Sequence, residues 1–231
     1  MLKKILMFLF LMVLVGICRA DVVTNTFFSD GAVLQRDTKI PVWGTAEPGE
    51  NIGVKIDNIS ISTTADQSGN WMVILPEHKA GGPYEMIVTG KNNITIKDIY
   101  FGDVWFCSGQ SNMAMTVAGC LNAETEIKQA TNSLIREFKV SSSFSAQQMK
   151  NLRGSWKVCS STNVGRFSAT AYFFAKNLQP EIGVVVGIIN SSVGGTRIET
   201  WMSRQALDKI PDLKQNLDEY DRNTKEYQVA L

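Results

Sequence analysis

Histidine is nearly absent, with one residue, His78, in the 231-residue chain. A hydrolytic mechanism built on an imidazole base must use that residue or take one from outside the chain. A charge excess is missing too. The 23 Lys and Arg stand against 22 Asp and Glu, which argues against a dedicated nucleic-acid binder, because nothing is left over to neutralise a run of phosphates. Cysteine is sparse, four in all. None has CxxC spacing, which together with the single histidine argues against a zinc site. After residue 20 no apolar run approaches the ~20 residues that a membrane-spanning helix needs. What remains is a globular composition, 44% apolar, long enough for one large domain or two small ones.

Residues 1–20 have the pattern of a cleaved secretory signal. Lys3 and Lys4 precede an apolar run over 5–17, and Cys18-Arg19-Ala20 places small side chains at the −3 and −1 positions of a cleavage site. Removal of this segment leaves 20 basic against 22 acidic residues, a net charge of −2. The expected product is exported, secreted or periplasmic, with no membrane attachment after cleavage. Cys107, Cys120 and Cys159 remain, an odd number, so at most one pair forms.

The pattern changes near residue 98. Before it, runs rich in Val, Ile, Thr and aromatics at 22–27, 32–35, 40–44, 52–56, 59–64, 71–75, 84–89 and 94–99 alternate with turn signals such as Glu47-Pro48-Gly49-Glu50. Short strands at this spacing predict a β-sandwich domain over 21–98. Strand and helix patterns alternate afterwards. The near-continuous apolar run 99–107 reads as a strand buried on both faces. Helices are expected at 123–130, at 168–178 with Pro180 as terminator, at 203–210 and from 212 to about 229, and strands at 134–140, 156–159 and 182–190. The predicted fold class is α/β, with the sandwich leading into a doubly wound parallel sheet over 99–231. His78 falls in a turn between β-domain strands and is expected to be solvated.

Two strand ends carry candidate chemistry. In Phe101-Gly102-Asp103-Val104-Trp105-Phe106-Cys107-Ser108-Gly109-Gln110-Ser111-Asn112-Met113 an apolar strand ends at a glycine and a serine follows two residues later. That is the carboxyl edge at which open α/β sheets place ligands. A helical turn starting near Asn112 would put Ser111 at its positive end, although a serine there also reads as an ordinary helix cap. Met113 occupies the position of the second glycine in a Gly-x-Ser-x-Gly elbow, so the α/β-hydrolase form of that motif is absent. In Asn190-Ser191-Ser192-Val193-Gly194-Gly195-Thr196-Arg197-Ile198-Glu199-Thr200-Trp201 a second strand runs into a glycine pair. Such a bend can present backbone N–H groups inward, as an oxyanion hole requires, or can be a plain turn. Trp201 follows this bend and is a candidate sugar-stacking residue, with core packing as the simpler alternative. Arg197 suits a carboxylate, or an ion pair with Glu199.

These two stretches, with Ser29-Asp30-Gly31-Ala32-Val33-Leu34-Gln35-Arg36 and Val42-Trp43-Gly44-Thr45-Ala46 upstream, resemble the sialate O-acetylesterase family of the SGNH (GDSL-like) hydrolases. The resemblance runs from Asp21 to Trp201. It implies an incomplete flavodoxin-like, three-layer α/β/α esterase domain over 99–231 and a serine esterase that removes acetyl groups from sialic acids or related acetylated sugars, with neither metal nor organic cofactor. On this resemblance Ser111 is the nucleophile, the N–H groups of Ser111 and Gly195 are the oxyanion donors, and Gly194 supports their loop. Gln110, Asn112, Arg197 and Trp201 are assigned to substrate binding.

The chain departs from the family at two motifs. Family members carry an Asp-x-x-His and, before it, a Gln-Gly-Glu block; neither occurs here. The expectation is therefore a fragment whose missing C-terminal segment acts in cis or in trans. The alternative is a non-catalytic glycan-binding or interaction module derived from the same scaffold.

Overall fold

The computed structural model describes residues 21–141, 149, 151 and 153–229; the expected signal segment, 1–20, lies outside them. The first half consists of strands β1 (Val23–Thr24), β2 (Val33–Gln35), β3 (Ile40–Thr45), β4 (Asn51–Ile56), β5 (Ile59–Thr64), β6 (Asn70–Leu75), β7 (Gly81–Thr89) and β8 (Asn93–Gly109). Period-2 burial produces these elements. In β3 and β6 the apolar residues at alternate positions face inward while the intervening ones face out. A three-stranded sheet in the order β1-β3-β6 packs against the part of a larger sheet that holds β5, β4, β7 and β8. Between them lie Val42, Val54, Ile56, Trp71, Leu75, Met86, Val88 and Phe101, all buried.

The second half contains β9 (Ile135–Val140), β10 (Gly154–Val158) and β11 (Val186–Ser192). Its helices are α1 (Ser111–Ala114), α2 (Ala123–Gln129), α3 (Ala169–Ile182), α4 (Arg204–Leu207) and α5 (Lys214–Val229). The larger sheet continues in the order β10-β9-β11-β8, with β11 parallel to both β8 and β9 and β10 antiparallel to β9. On one face of this sheet α3 packs through Ala171, Tyr172 and Ala175 onto Ile135, Val186 and Ile188. On the other, Phe138 and Trp156 meet Phe27 of the first half in edge-on ring contacts. The Arg136 guanidinium closes the seam, donating to the Gly31 and Asp98 carbonyls and to both Asp98 carboxylate oxygens.

Three readings of the sequence need correction. The separate strands expected at 94–99 and 99–107 are one strand of 17 residues. Its pairing with β7 shifts register near the change in pattern, and Asp98 takes a left-handed conformation, φ 60°, so an irregularity that reads as a break is absorbed within the strand. The far end of β8 is not buried on both faces, since Trp105 is 43% and Phe106 68% exposed. Pro180 does not end α3. The helix continues to Ile182 and closes on left-handed Gly183, whose N–H bonds the Gln179 carbonyl. A proline in the last turn costs one backbone bond, and the glycine cap takes over termination. As a result β11 begins four residues later than expected.

Candidate functional site

β8 ends at Gly109, whose φ of 138° suits a residue without a Cβ. The chain turns there, and α1 follows as a single helical turn in which the Gln110 carbonyl accepts the N–H groups of Met113 and Ala114 at 3.0 and 2.9 Å. Ser111 is the first residue of this turn, not its cap, and its side chain is exposed. Its Oγ donates to Gln110 Oε1 at 2.9 Å. The helix-cap alternative is thereby removed. Asn112 is exposed, and its carbonyl accepts the Thr170 hydroxyl at 2.9 Å, tying α1 to the start of α3.

β11 runs beside β8 in parallel register, with Ser192 opposite Gly109. The Val193 N–H donates to the Gly109 carbonyl at 3.0 Å, so the two strand ends are bound together at one rim of the sheet. A Cβ built at Gly194 would stand 3.6 Å from Ser111 Oγ and 3.8 Å from Ser111 Cα. The glycine bend therefore lies directly against the serine. Gly195 follows in a left-handed conformation, φ 76°. Among the described residues no hydrogen bond engages the N–H groups of Ser111, Gly194 or Gly195, which leaves donors at the rim for an incoming carbonyl oxygen.

The half-buried Trp201 is joined to this bend. Its Nε1–H donates to Thr196 Oγ1 at 2.9 Å, and the Thr196 hydroxyl donates to the Val193 carbonyl at 2.8 Å. Arg197 is exposed, and among the described residues it makes no ion pair, with Glu199 or otherwise. The structure thus brings together Gln110, Ser111, Asn112 and Gly194, with Gly195 and Trp201 joined through the bend, but it records no contact between Arg197 and Ser111. Cys107, Cys120 and Cys159 are free thiols. Burial and the nearby Glu137 carboxylate raise the Cys107 pKa above its ordinary value. Among the described residues no cluster of His, Cys, Asp or Glu forms a metal-binding group.

His78 stands away from the site, as expected, but its ring is packed against the protein and not solvated, with 14% of the side chain exposed. Its ring stacks on Phe101 at 4.0 Å, Nε2 lies 3.2 Å from Asp57 Oδ2 and Nδ1 2.7 Å from the Lys79 carbonyl. An apolar ring offered a flat partner and two polar groups within reach, so the imidazole became part of the β-half wall. Phe101 precedes Gly109 by eight residues along β8, roughly 26 Å at strand rise. No hydrogen bond spans that distance.

The sequence reading missed Glu137, Ser168 and Asn190, which are buried directly beneath the rim. One signal existed. In β9 the inward positions alternate as Ile135 and Glu137, which puts a carboxylate where an apolar residue belongs.

Comparison with known proteins supplies the family. The model of the carbohydrate esterase, sialic acid-specific acetylesterase family matches residues 101–230, more than half of the chain. The chain belongs to this family. It is 34% identical over 203 residues to the sialate O-acetylesterase of Mus musculus, covering 79% of this chain and 38% of that protein. With the Homo sapiens sialate O-acetylesterase it is 33% identical over 220 residues, 86% of this chain and 42% of the relative. Among solved structures, a carbohydrate acetylesterase from Xanthomonas citri superposes with a TM-score of 0.79 at 40% identity, over 81% of this chain and 44% of the other. The mixed α/β fold is thus that of an acetylesterase, and the chain spans about two fifths of the length of the relatives it matches.

Proposed function

We propose that this chain forms the nucleophile-bearing part of an exported serine O-acetylesterase acting on O-acetylated sialic acids or related acetylated sugars. The observation that carries the reading is the close approach of Gly194 to Ser111 at an exposed rim, because two motifs more than eighty residues apart meet at one point. In the reaction Ser111 Oγ attacks the acetyl carbonyl carbon, and the N–H groups of Ser111 and Gly195 hold the resulting oxyanion. Collapse releases the sugar alcohol and leaves acetyl on the serine, which water then removes as acetate. Each such donor is worth about 3 kcal/mol of transition-state stabilisation. Trp201 offers the sugar an aromatic face and Arg197 a positive charge, with Gln110 and Asn112 flanking the ester. The same reading assigns 21–98 to a β-sandwich and 99–231 to a partial SGNH-type domain.

Among the described residues no base is bonded to Ser111, whose Oγ meets Gln110 Oε1, and the sole histidine stacks on Phe101. The imidazole must come from polypeptide outside these residues, in cis or in trans. The free side of β8 suits such a segment. Residues 103–109 pair with β11, and the Val104 N–H points the other way, to Gln35 Oε1. Phe106 and Ser108 share that outward edge by strand alternation, beside the exposed Phe106 ring. A second reading, a glycan-binding module without turnover, is favoured by the position of His78.

Acetate release from O-acetylated sialic acid separates the two. The 231-residue chain is expected to run barely above buffer, and a longer polypeptide carrying the family's Asp-x-x-His segment to turn over and lose that activity on Ser111→Ala. Robust turnover by the 231-residue chain, or indifference of the longer one to the substitution, would overturn the esterase assignment of Ser111.

A further inference from the structure

Glu137 is 2% exposed, a carboxylate on the sheet face that also carries the buried Ile135, Val186 and Ile188. Its Oε2 accepts the Ser168 N–H at 2.9 Å, and its Oε1 accepts the Asn190 side-chain amide at 3.4 Å. Each partner leads to one half of the rim. Ser168 caps α3, its Oγ accepting from the Ala171 N–H at 3.3 Å, and the same hydroxyl donates to Met113 Sδ in α1 at 3.3 Å. The next residue, Ala169, donates its N–H to the Met115 carbonyl at 2.8 Å. On the other side Asn190 Oδ1 accepts the Ser192 hydroxyl at 2.7 Å, and Ser192 is the last strand residue before the glycine bend.

We infer that Glu137 is a positioning residue that sets the spacing between the Ser111 turn and the Gly194–Gly195 bend by bonding the elements that hold both. The meaning of that spacing for catalysis rests on the esterase reading; the mechanical coupling does not. A buried carboxylate that only filled space would be replaced by leucine at a gain, since burying the charge costs more than packing an apolar group of that size. Desolvation raises its pKa to about 7, although the bonds from Ser168 and Asn190 and the charge of Lys139 oppose the shift. Around it, β10 places Lys157 opposite in the ladder and β8 contributes Cys107; the ionisable Tyr172 of α3 is engaged elsewhere, donating to Glu126. The described residues of β11 and α1 contribute no ionisable side chain.

The test uses the 231-residue chain labelled with 15N and 13C, followed by NMR between pH 5.5 and 8.5. The Glu137 side-chain carbonyl and the backbone amides of Ser111, Met113, Gly194 and Gly195 are expected to move with one shared midpoint, and Glu137→Gln to remove that movement from both segments. Response in one segment or neither, or a response that survives the substitution, overturns the coupling. If the variant fails to fold, the wild-type titration decides alone. In a longer, active polypeptide Glu137→Gln is expected to lower kcat about tenfold with KM within about twofold, as small misplacements of a reacting group do. Unchanged kcat there overturns the positioning role, whereas an inert wild-type longer polypeptide counts against the esterase reading instead.

Discussion

The two ends of β8 differ in what surrounds them. Around Ile99 and Phe101, both fully buried, the strand meets β7 and β2 and is roofed by the His78 ring. From Asp103 onward it has β11 along one edge, Trp105 touching Phe174 of α3 on one face and Phe106 open on the other. The amino-acid types are alike at both ends. The neighbours are not: along this strand burial is concentrated in the β-half and access in the half that carries Ser111.

Substitutions sharpen this contrast, the largest effect first. Phe101→Ala should cost about 3–5 kcal/mol in urea unfolding, the usual range for a fully buried phenylalanine, whereas Phe106→Ala should stay within about 0.5 kcal/mol. Equal losses at the two positions would erase the distinction. Next is the Glu137 carboxyl, which burial pushes up to about 7 in the folded protein from its ordinary value of 4.5. Because the folded state holds this proton more tightly, the contribution is fully present below about pH 4.5 and is lost as pH rises through 7. At ~1.4 kcal/mol per unit the change is about 3 kcal/mol at most. Measured as the difference between wild type and Glu137→Gln, stability should fall across that window and level off above it; a rise would reverse the assignment.

A smaller effect is expected at the seam. Arg136 is 3% exposed and stacks its guanidinium 4.4 Å from the centre of the Tyr100 ring. Arg136→Ala should cost about 2 kcal/mol, less than a fully buried pair, because the 46%-exposed Asp98 side chain can be rehydrated. The loosened seam should let tryptophan fluorescence and far-UV circular dichroism report separate transitions where wild type gives one. The smallest change in stability, within about 0.5 kcal/mol, is expected for Phe106→Lys. Its readout is sedimentation: the open apolar edge should let wild-type chains associate, and a charge there should reduce that association; unaltered association would mean that this edge is not exposed in solution.

Much of the architecture was legible in the sequence because burial on one face of a strand leaves a period of two. The β3, β4, β5 and β6 strands were found within a residue of their observed bounds. Misreadings came where one residue type serves two outcomes. Pro180 reads as a terminator, yet in a last turn closed by Gly183 it is tolerated. His78 reads as solvated in a polar turn, yet Phe101, distant in sequence, supplies a ring to stack on. Glu137 was passed over because a lone acidic residue among apolar ones carries no label of what it will bond.

Local stereochemistry is enough to set the strand periods, the glycines at 109, 194 and 195 where the chain bends, and the serine just after a strand end. Long-range packing adds that the 109 and 194 bends share a rim, that His78 stands at the far end of the strand, and that one buried carboxylate bonds both Ser168 and Asn190. The shared rim depends on parallel pairing of strands more than eighty residues apart, and the other two on contacts between residues distant in sequence, His78 with Phe101 and Glu137 with Ser168 and Asn190; such partners are chosen by the packing of the whole chain.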